Sequence, residues 1–273
     1  MIFRKASKYW DVCLRKLCRA GTPTAPGGGH SKPAAPPGEH GKAPDHYYSR
    51  NPRVESRRAK ITYILSGDPI TFVTDTGIFS KNRVDFGTDL LIRSMPPLIG
   101  RALDLGCGYG AAGISLALLN PSVEMWFSDI NERAVELCKN NYARLVEEAR
   151  LVEGARLVEG ARLVESARLV EEARQIAERP TNECRFICSD GFSQLRGMQF
   201  DTVILNPPVR AGKERIFKLY SEAREALHSG GSLVLVIQKK QGMESTRKEL
   251  LALFGVCVDI ARKAGYHVLR ATK

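Results

Sequence analysis

LDLGCGYGAAGISLAL, residues 103–118, is the stretch on which the reading of the whole chain turns. An apolar run carrying Asp104 meets three glycines at alternate positions, Gly106, Gly108 and Gly110, and then a segment rich in alanine and leucine. Glycine permits a tight turn and lets a ligand approach the backbone closely, and the first amides of the following helix face that ligand. Dinucleotide enzymes use a similar strand-to-helix turn, but the spacing here is G-x-G-x-G instead of G-x-G-x-x-G.

Strand-like and helix-like segments alternate from there to the end: VEMWFSD, ERAVELCKNN, CRFICSD, FDTVIL, RIFKLYSEAREALH, SLVLVIQ, STRKELLALF, VCVDIARK and YHVLRA. The alternation predicts an α/β fold, a mostly parallel doubly wound sheet with helices on both faces. The last two segments flank the turn KAGY and predict a C-terminal antiparallel hairpin at one edge. Ligands of such sheets bind beyond the carboxyl ends of the strands. Asp129 ends the second strand, where a carboxylate can accept hydrogen bonds from ribose hydroxyls, and Asp190 with Gly191 ends the third. FDTVIL stops at Asn206, and Pro207 and Pro208 follow at once; proline has no N–H for a sheet ladder, so Asn206 is held on a stiff loop. On local grounds Asp104 also reads as a turn cap, Asp129 as a helix cap and N-P-P as a strand terminator.

Composition narrows the class. The chain has 273 residues, 43% hydrophobic and 26% charged, enough for a sizeable core, and its net charge of +11 points to a polyanionic partner, with nucleic acid ahead of a membrane surface. The seven cysteines form no CxxC pair and the five histidines no HExxH, so neither a metal site nor a disulfide framework is signalled. No apolar run is long enough for a membrane span, so a cytoplasmic location is expected.

Upstream, residues 1–45 are basic and then dominated by Gly, Pro, Ala and Ser, and are expected to be a disordered extension. Residues 46–100 form an N-terminal β element, with a hairpin around the turn SGDP, leading into a catalytic domain at 101–273. Within that domain, residues 143–178 are six tandem hexads of the type ARLVEE. Their composition favours helix, and Arg144 with Glu148 is a supporting i,i+4 pair. A six-residue step advances a helix by about 600°, which rotates each leucine by about 120° from the last, so no single apolar stripe forms. The expectation is a protruding insertion that continues the helix begun at Glu132 and has no catalytic role.

HYYS at 46–49, TDTGIFS at 74–80, VDFGTDLL at 84–91, LDLGCGYG at 103–110, SDGF at 189–192, NPPVRAGK at 206–213 and VIQKKQG at 236–242 together resemble, in order, the class I S-adenosylmethionine-dependent methyltransferases. The likeness is closest to the RsmC-like branch, which methylates guanine N2 in small-subunit ribosomal RNA. It implies a Rossmann-like domain with S-adenosylmethionine as cofactor, no metal, and rRNA or the small ribosomal subunit as partner. By that resemblance Asp104, Gly106 and Gly108 hold the methionine end, Gly110 belongs to the same cofactor-binding loop, Asp129 holds the ribose, and Asp190 with Gly191 meets the adenine. Asn206 and the Pro207–Pro208–Val209 loop aim the target amine, with Arg210 and Lys213 beside the substrate phosphate. Phe79, Ser80, Asp85, Gly87 and Thr88 look like the wall of the family's pocket. Val209 departs from the wider amino-methyltransferase motif, which has an aromatic residue there to stack on a flipped base. Two other functions remain open at this point: methylation of another amine, in a tRNA base or a protein side-chain amide, and a non-catalytic RNA-binding or ribosome-assembly role.

Overall fold

The computed structural model describes residues 54–162, 183–208 and 211–273; the expected extension at 1–45, the later hexads, Val209 and Arg210 lie outside the described residues. The described part opens on a hairpin, β1 (Ala59–Leu65) and β2 (Asp68–Thr74), paired antiparallel from Ala59 opposite Thr74 to Leu65 opposite Asp68. Its turn residues Ser66 and Gly67 both have positive φ, 53° and 98°, the twist that suits a two-residue hairpin loop.

Helix α1 (Phe86–Ser94) leads into the main sheet, built from β3 (Arg101–Leu105), α2 (Ala111–Leu119), β4 (Glu124–Asp129), α3 (Glu132–Arg162), β5 (Cys184–Cys188), β6 (Phe200–Leu205), α4 (Lys213–Ala226), β7 (Leu227–Gln238), α5 (Met243–Phe254), β8 (Val256–Lys263) and β9 (Tyr266–Thr272). The strands lie in the order β5-β4-β3-β6-β7-β9-β8. The first five are parallel, and β9 runs antiparallel to both β7 and β8, so the chain closes on the expected edge hairpin.

Side chains alternate between two buried clusters, as the period of a strand covered on both faces requires. Ala102, Met125, Phe127, Ile204, Val234 and Val236 belong to one cluster, which also takes Leu91, Ile114 and the hairpin residues Ile61 and Phe72. Leu103, Trp126, Val203, Leu205, Leu233 and Leu235 belong to the other, under Ile216 and Tyr220 of α4 and Leu250 of α5. The hairpin therefore shares the core of the main domain. Asn141 of α3 ties the two together: its amide exchanges hydrogen bonds with both backbone groups of Val73 at 2.8 Å and donates to the carbonyl of Tyr109 at 2.9 Å. Among the described residues no helix is long and apolar enough to cross a membrane.

The first hexad behaves differently from the expected free insertion. Leu145 and Val146 are buried, Arg144 donates to the carbonyl of Thr71 in β2, and the Arg144–Glu148 pair closes at 2.6 Å. One repeat later Leu151 is 64% exposed. The rotation of about 120° per hexad accounts for the change, because it turns the leucine of the next repeat away from the hairpin. Leu145→Ala is expected to cost about 2–5 kcal/mol of stability, the usual range for truncating a buried leucine. Leu151→Ala should stay within about 0.5 kcal/mol. Equal urea midpoints for the two variants would contradict the docking of the first repeat.

Candidate active site

The site begins in the strand register. Leu105 pairs with Ser128 on one side and Leu205 on the other, so the next residues, Gly106, Asp129 and Asn206, leave the sheet at one level. On the far side of β4, Asp129 pairs with Cys188, and Ser189, Asp190 and Gly191 follow. Four loops thus open on one edge, where a cleft is lined by residues from all of them together with Ile78, Phe79, Asp85, Thr88 and Arg215.

The glycines of the first loop divide by task. Gly106 and Gly108 have φ of 76° and 56°; a Cβ at Gly106 would meet nothing within 4 Å, and one at Gly108 only Ile78 at 3.8 Å. Their bare backbone borders open space, a cradle that side chains would fill. Gly110 and Gly113 are instead packed: a Cβ at Gly110 would lie 2.3 Å from Ile114, and one at Gly113 would lie 2.5 Å from Phe127 and 2.6 Å from the carboxylate of Asp104. Gly110, expected among the ligand-facing glycines, is thus also the point where the turn presses on α2 and Cys138.

Two carboxylates sit behind this loop. Asp104, 3% exposed, accepts the N–H of Gly113 at 2.8 Å and so ties the end of β3 to the first turn of α2. Burial pushes its carboxyl up to about 7; the N–H of Gly113 opposes the rise and the charge of Asp129 adds to it. Asp129 lines the cleft and accepts the N–H groups of Gly108 and Asn131, each at 2.9 Å. Burial raises its carboxyl as well, against those backbone donors. A carboxylate has about four acceptor positions; the backbone of Gly108, Asn131 and Ile130 engages three, which leaves about one on Asp129 for a hydroxyl donor. Open backbone at the positive N-terminal end of α2 suits an anionic group such as a ligand carboxylate, and the Asp129 carboxylate beside it suits the hydroxyls of a ribose.

Asp190 is exposed, with its carboxylate 2.5 Å from Arg215 of α4, and both line the cleft. Exposed pairs contribute little, so a ligand can displace this one at small cost. Gly191 admits α4 closely, since a Cβ there would lie 2.9 Å from Leu219 and from Glu222. Phe79 is 43% exposed at the cleft, on a loop where Ser80 has φ 56°. Asn206 donates its amide N–H groups to Thr88 Oγ1 at 3.0 Å and Asp85 Oδ2 at 3.5 Å. Pro207 is buried, and the Pro208 carbonyl accepts the N–H of Ala211 at 2.7 Å. Lys213, at the start of α4, is exposed and does not line this cleft.

Several residues of the site were not singled out by the sequence. Gly113 escaped because it lies outside the G-x-G-x-G repeat. Asn131 caps α3 through the N–H groups of Arg133 and Ala134 and donates to the carbonyl of Gly77, joining the Phe79 loop to the end of β4. The signal for it was an asparagine directly before a helical run. Arg215 gave no local signal, since only the packing of α4 brings it to Asp190.

The raised carboxyl of Asp104 has a pH consequence in the cofactor-free protein. The folded state keeps this proton up to about 7, whereas an unperturbed aspartate releases it near 3.8. The folded chain therefore binds more protons between these values, and the stability gained at low pH is lost as pH rises through the window. Asp104→Asn keeps an acceptor for Gly113 without the titration. The wild type is expected to gain melting temperature relative to this variant as pH is lowered from about 8 to about 5. A difference that stays constant over that range would count against the buried, proton-holding carboxyl.

Comparison with known proteins places this geometry. The family model described as "Methyltransferase small domain" matches residues 69–162 and 161–270, two stretches that meet inside the hexads. YbxB of Bacillus subtilis (strain 168) is 34% identical over 84% of this chain and 98% of its own length. A ribosomal RNA large subunit methyltransferase G of Pseudomonas aeruginosa is 27% identical, and a ribosomal RNA small subunit methyltransferase C of Shewanella loihica 28% identical, each over 77% of this chain. The chain spans about half the length of these two relatives, 48% and 52%. Among solved structures, the T. thermophilus 16S rRNA N2 methyltransferase RsmC, in complex with AdoMet and guanosine, aligns over 81% of this chain and 52% of its own with a TM-score of 0.58 at 21% identity, a likeness of fold. With the glycine cradle, the strand-end carboxylate and a family model that covers most of the described chain, the protein belongs to the methyltransferase small domain family, a group of class I S-adenosylmethionine-dependent methyltransferases.

Proposed function

We propose that the protein methylates the exocyclic N2 amine of a guanine in ribosomal RNA, with small-subunit rRNA as the substrate. The observation that carries this reading is the tethered amide of Asn206. Its nitrogen is engaged by Thr88 and Asp85, which leaves its oxygen for the cleft that Asn206 lines, in register with the glycine cradle. The relatives that act on rRNA of either subunit support the substrate class, and the net charge of +11 suits a polyanion.

An amine on a purine is a weak nucleophile because its lone pair is delocalised into the ring. The Asn206 oxygen and the Pro207 carbonyl accept its two hydrogens, which turns the nitrogen lone pair out of the ring plane. S-adenosylmethionine, when bound, would supply the methyl group on a sulfonium: the S–CH3 bond breaks as the N–CH3 bond forms, the sulfur leaves as a neutral thioether, and the amine gives up one hydrogen as a proton. Asp129 accepts from the ribose hydroxyls, Gly106 and Gly108 leave room for the cofactor, and Asp190 meets the adenine. Phe79, the exposed aromatic of the cleft, stacks on the base and provides the flat face that Val209 does not. Arg210 and Lys213 hold the neighbouring phosphate. Orientation and fixed dipoles are the means of acceleration, each contributing several kcal/mol by the usual order of magnitude.

Nucleoside mass mapping of both rRNAs from a strain lacking the gene tests this. N2-methylguanosine should disappear from one site, return with the wild-type gene and stay absent with Asn206→Ala. Unchanged rRNA methylation in the deletion strain would reject the substrate. In calorimetry, Asp129→Ala should weaken S-adenosylmethionine binding by about 1.5–3 kcal/mol for each charge-assisted hydrogen bond lost. Equal affinity would remove Asp129 from the ribose site.

A further inference from the structure

Asp85, Thr88 and Asn206 form a chain of side chains whose donors and acceptors can be assigned without reference to any substrate. Asp85 caps α1: its Oδ1 accepts the N–H of Gly87 at 2.9 Å and of Thr88 at 3.3 Å, and its Oδ2 accepts the hydroxyl hydrogen of Thr88. A carboxylate offers acceptor sites only, and a hydroxyl carries one hydrogen. With that hydrogen committed to Asp85, the Thr88 oxygen meets Asn206 as an acceptor. The group of Asn206 that faces it at 3.0 Å is therefore the NH2. Asp85 Oδ2, 3.5 Å from the same nitrogen, imposes the same polarity. Rotated by a half turn, Asn206 would set its carbonyl oxygen against two acceptors and lose both bonds.

The frame that holds this chain is rigid. Gly87, Thr88, Leu91 and Ile92 of α1 are buried. A Cβ at Gly87 would lie 3.0 Å from the ring of Tyr266, and the Phe86 and Tyr266 rings stand 5.3 Å apart, so the first turn of α1 is packed onto β9. Asp85 is 121 residues from Asn206 in sequence and Thr88 is 118.

We infer that Asp85 and Thr88 are positioning residues for methyl transfer: they set the polarity of the Asn206 amide, so that the cleft offers an acceptor oxygen to a substrate N–H. The inference rests on the proposed amine methylation. It adds a selection rule, because a cleft polarised this way receives an amino group and rejects a carbonyl or an unprotonated ring nitrogen at the same position.

Asp85→Asn tests the polarity directly. Asparagine is as good a helix cap as aspartate, so its oxygen can stay on the amides of Gly87 and Thr88 while its NH2 replaces Oδ2. The Thr88 oxygen then accepts from the new amide, its hydrogen turns to Asn206, and the Asn206 amide inverts. Thr88→Val deletes the relay at nearly constant shape, and Thr88→Ser keeps it. Melting temperature and S-adenosylmethionine affinity by calorimetry should be close to wild type in all three. Single-turnover methylation of rRNA extracted from the deletion strain, at saturating cofactor, should fall on the order of 10²-fold in Asp85→Asn and Thr88→Val and be retained in Thr88→Ser.

A substrate-free readout accompanies this. The side-chain NH2 of Asn206, identified in nitrogen–proton spectra by its loss in Asn206→Ala, should exchange slowly with solvent in the wild type and in Thr88→Ser. It should exchange fast in Thr88→Val. Wild-type rates in Asp85→Asn and Thr88→Val, or an Asn206 amide whose exchange ignores Thr88→Val, would overturn the inference. If the wild type leaves that rRNA unmethylated, the substrate reading fails on its own, and the exchange measurement still decides the relay.

Discussion

Leu105, Ser128 and Leu205 stand side by side on three neighbouring parallel strands, and the polar chemistry of the cleft begins one residue later on each. Parallel pairing has no freedom to slip here. A shift of one residue would exchange the two faces of β3, sending Ala102 and Asp104 toward α4 and α5 and Leu103 and Leu105 toward α2 and the hairpin. The register that satisfies both hydrophobic clusters therefore also sets Gly106, Asp129 and Asn206 at a common level. Core packing and cleft assembly are two outcomes of one constraint.

Onto that edge the fold brings costly groups and compensates them locally. Asp104 and Asp129 both sit where burial disfavours their charge, and each is met by backbone N–H groups: Gly113 for the first, Gly108 and Asn131 for the second. The donors come from the glycine turn, from α2 and from the cap of α3, so the carboxylates also lock these elements to the strand ends. Removing a side chain at Gly113 is what lets α2 come close enough to serve Asp104. Gly106 and Gly108 have the opposite use, keeping the space in front of the same carboxylates clear.

The hexads show how a domain of this kind tolerates an unusual segment. The helix that carries them starts at a capped turn beside the cleft, and its first repeat docks on β2 through Leu145, Val146 and Arg144. Beyond that point a period of six no longer matches the helix, and Leu151 faces solvent. Residues of one repeat unit thus fall into two physical classes according to where they stand along the helix. The two stretches matched by the family model meet inside the repeats, on the side of α3 away from its cap.

Sequence alone determined the layered α/β plan, the hairpins at SGDP and KAGY, and the strand ends that carry Gly106, Asp129, Asp190 and Asn206, because periodicity, glycine and proline act over a few residues of chain. The family resemblance marked Asp85 and Thr88 as pocket wall without linking them to Asn206. Only the tertiary structure decided that link, together with the grip of Asn141 on Val73 and Tyr109, the meeting of Arg215 with Asp190 and the different fates of Leu145 and Leu151. These are contacts between partners up to more than a hundred residues apart. Their polarity and burial follow from how helices are packed on the sheet, which no local pattern of residue types encodes.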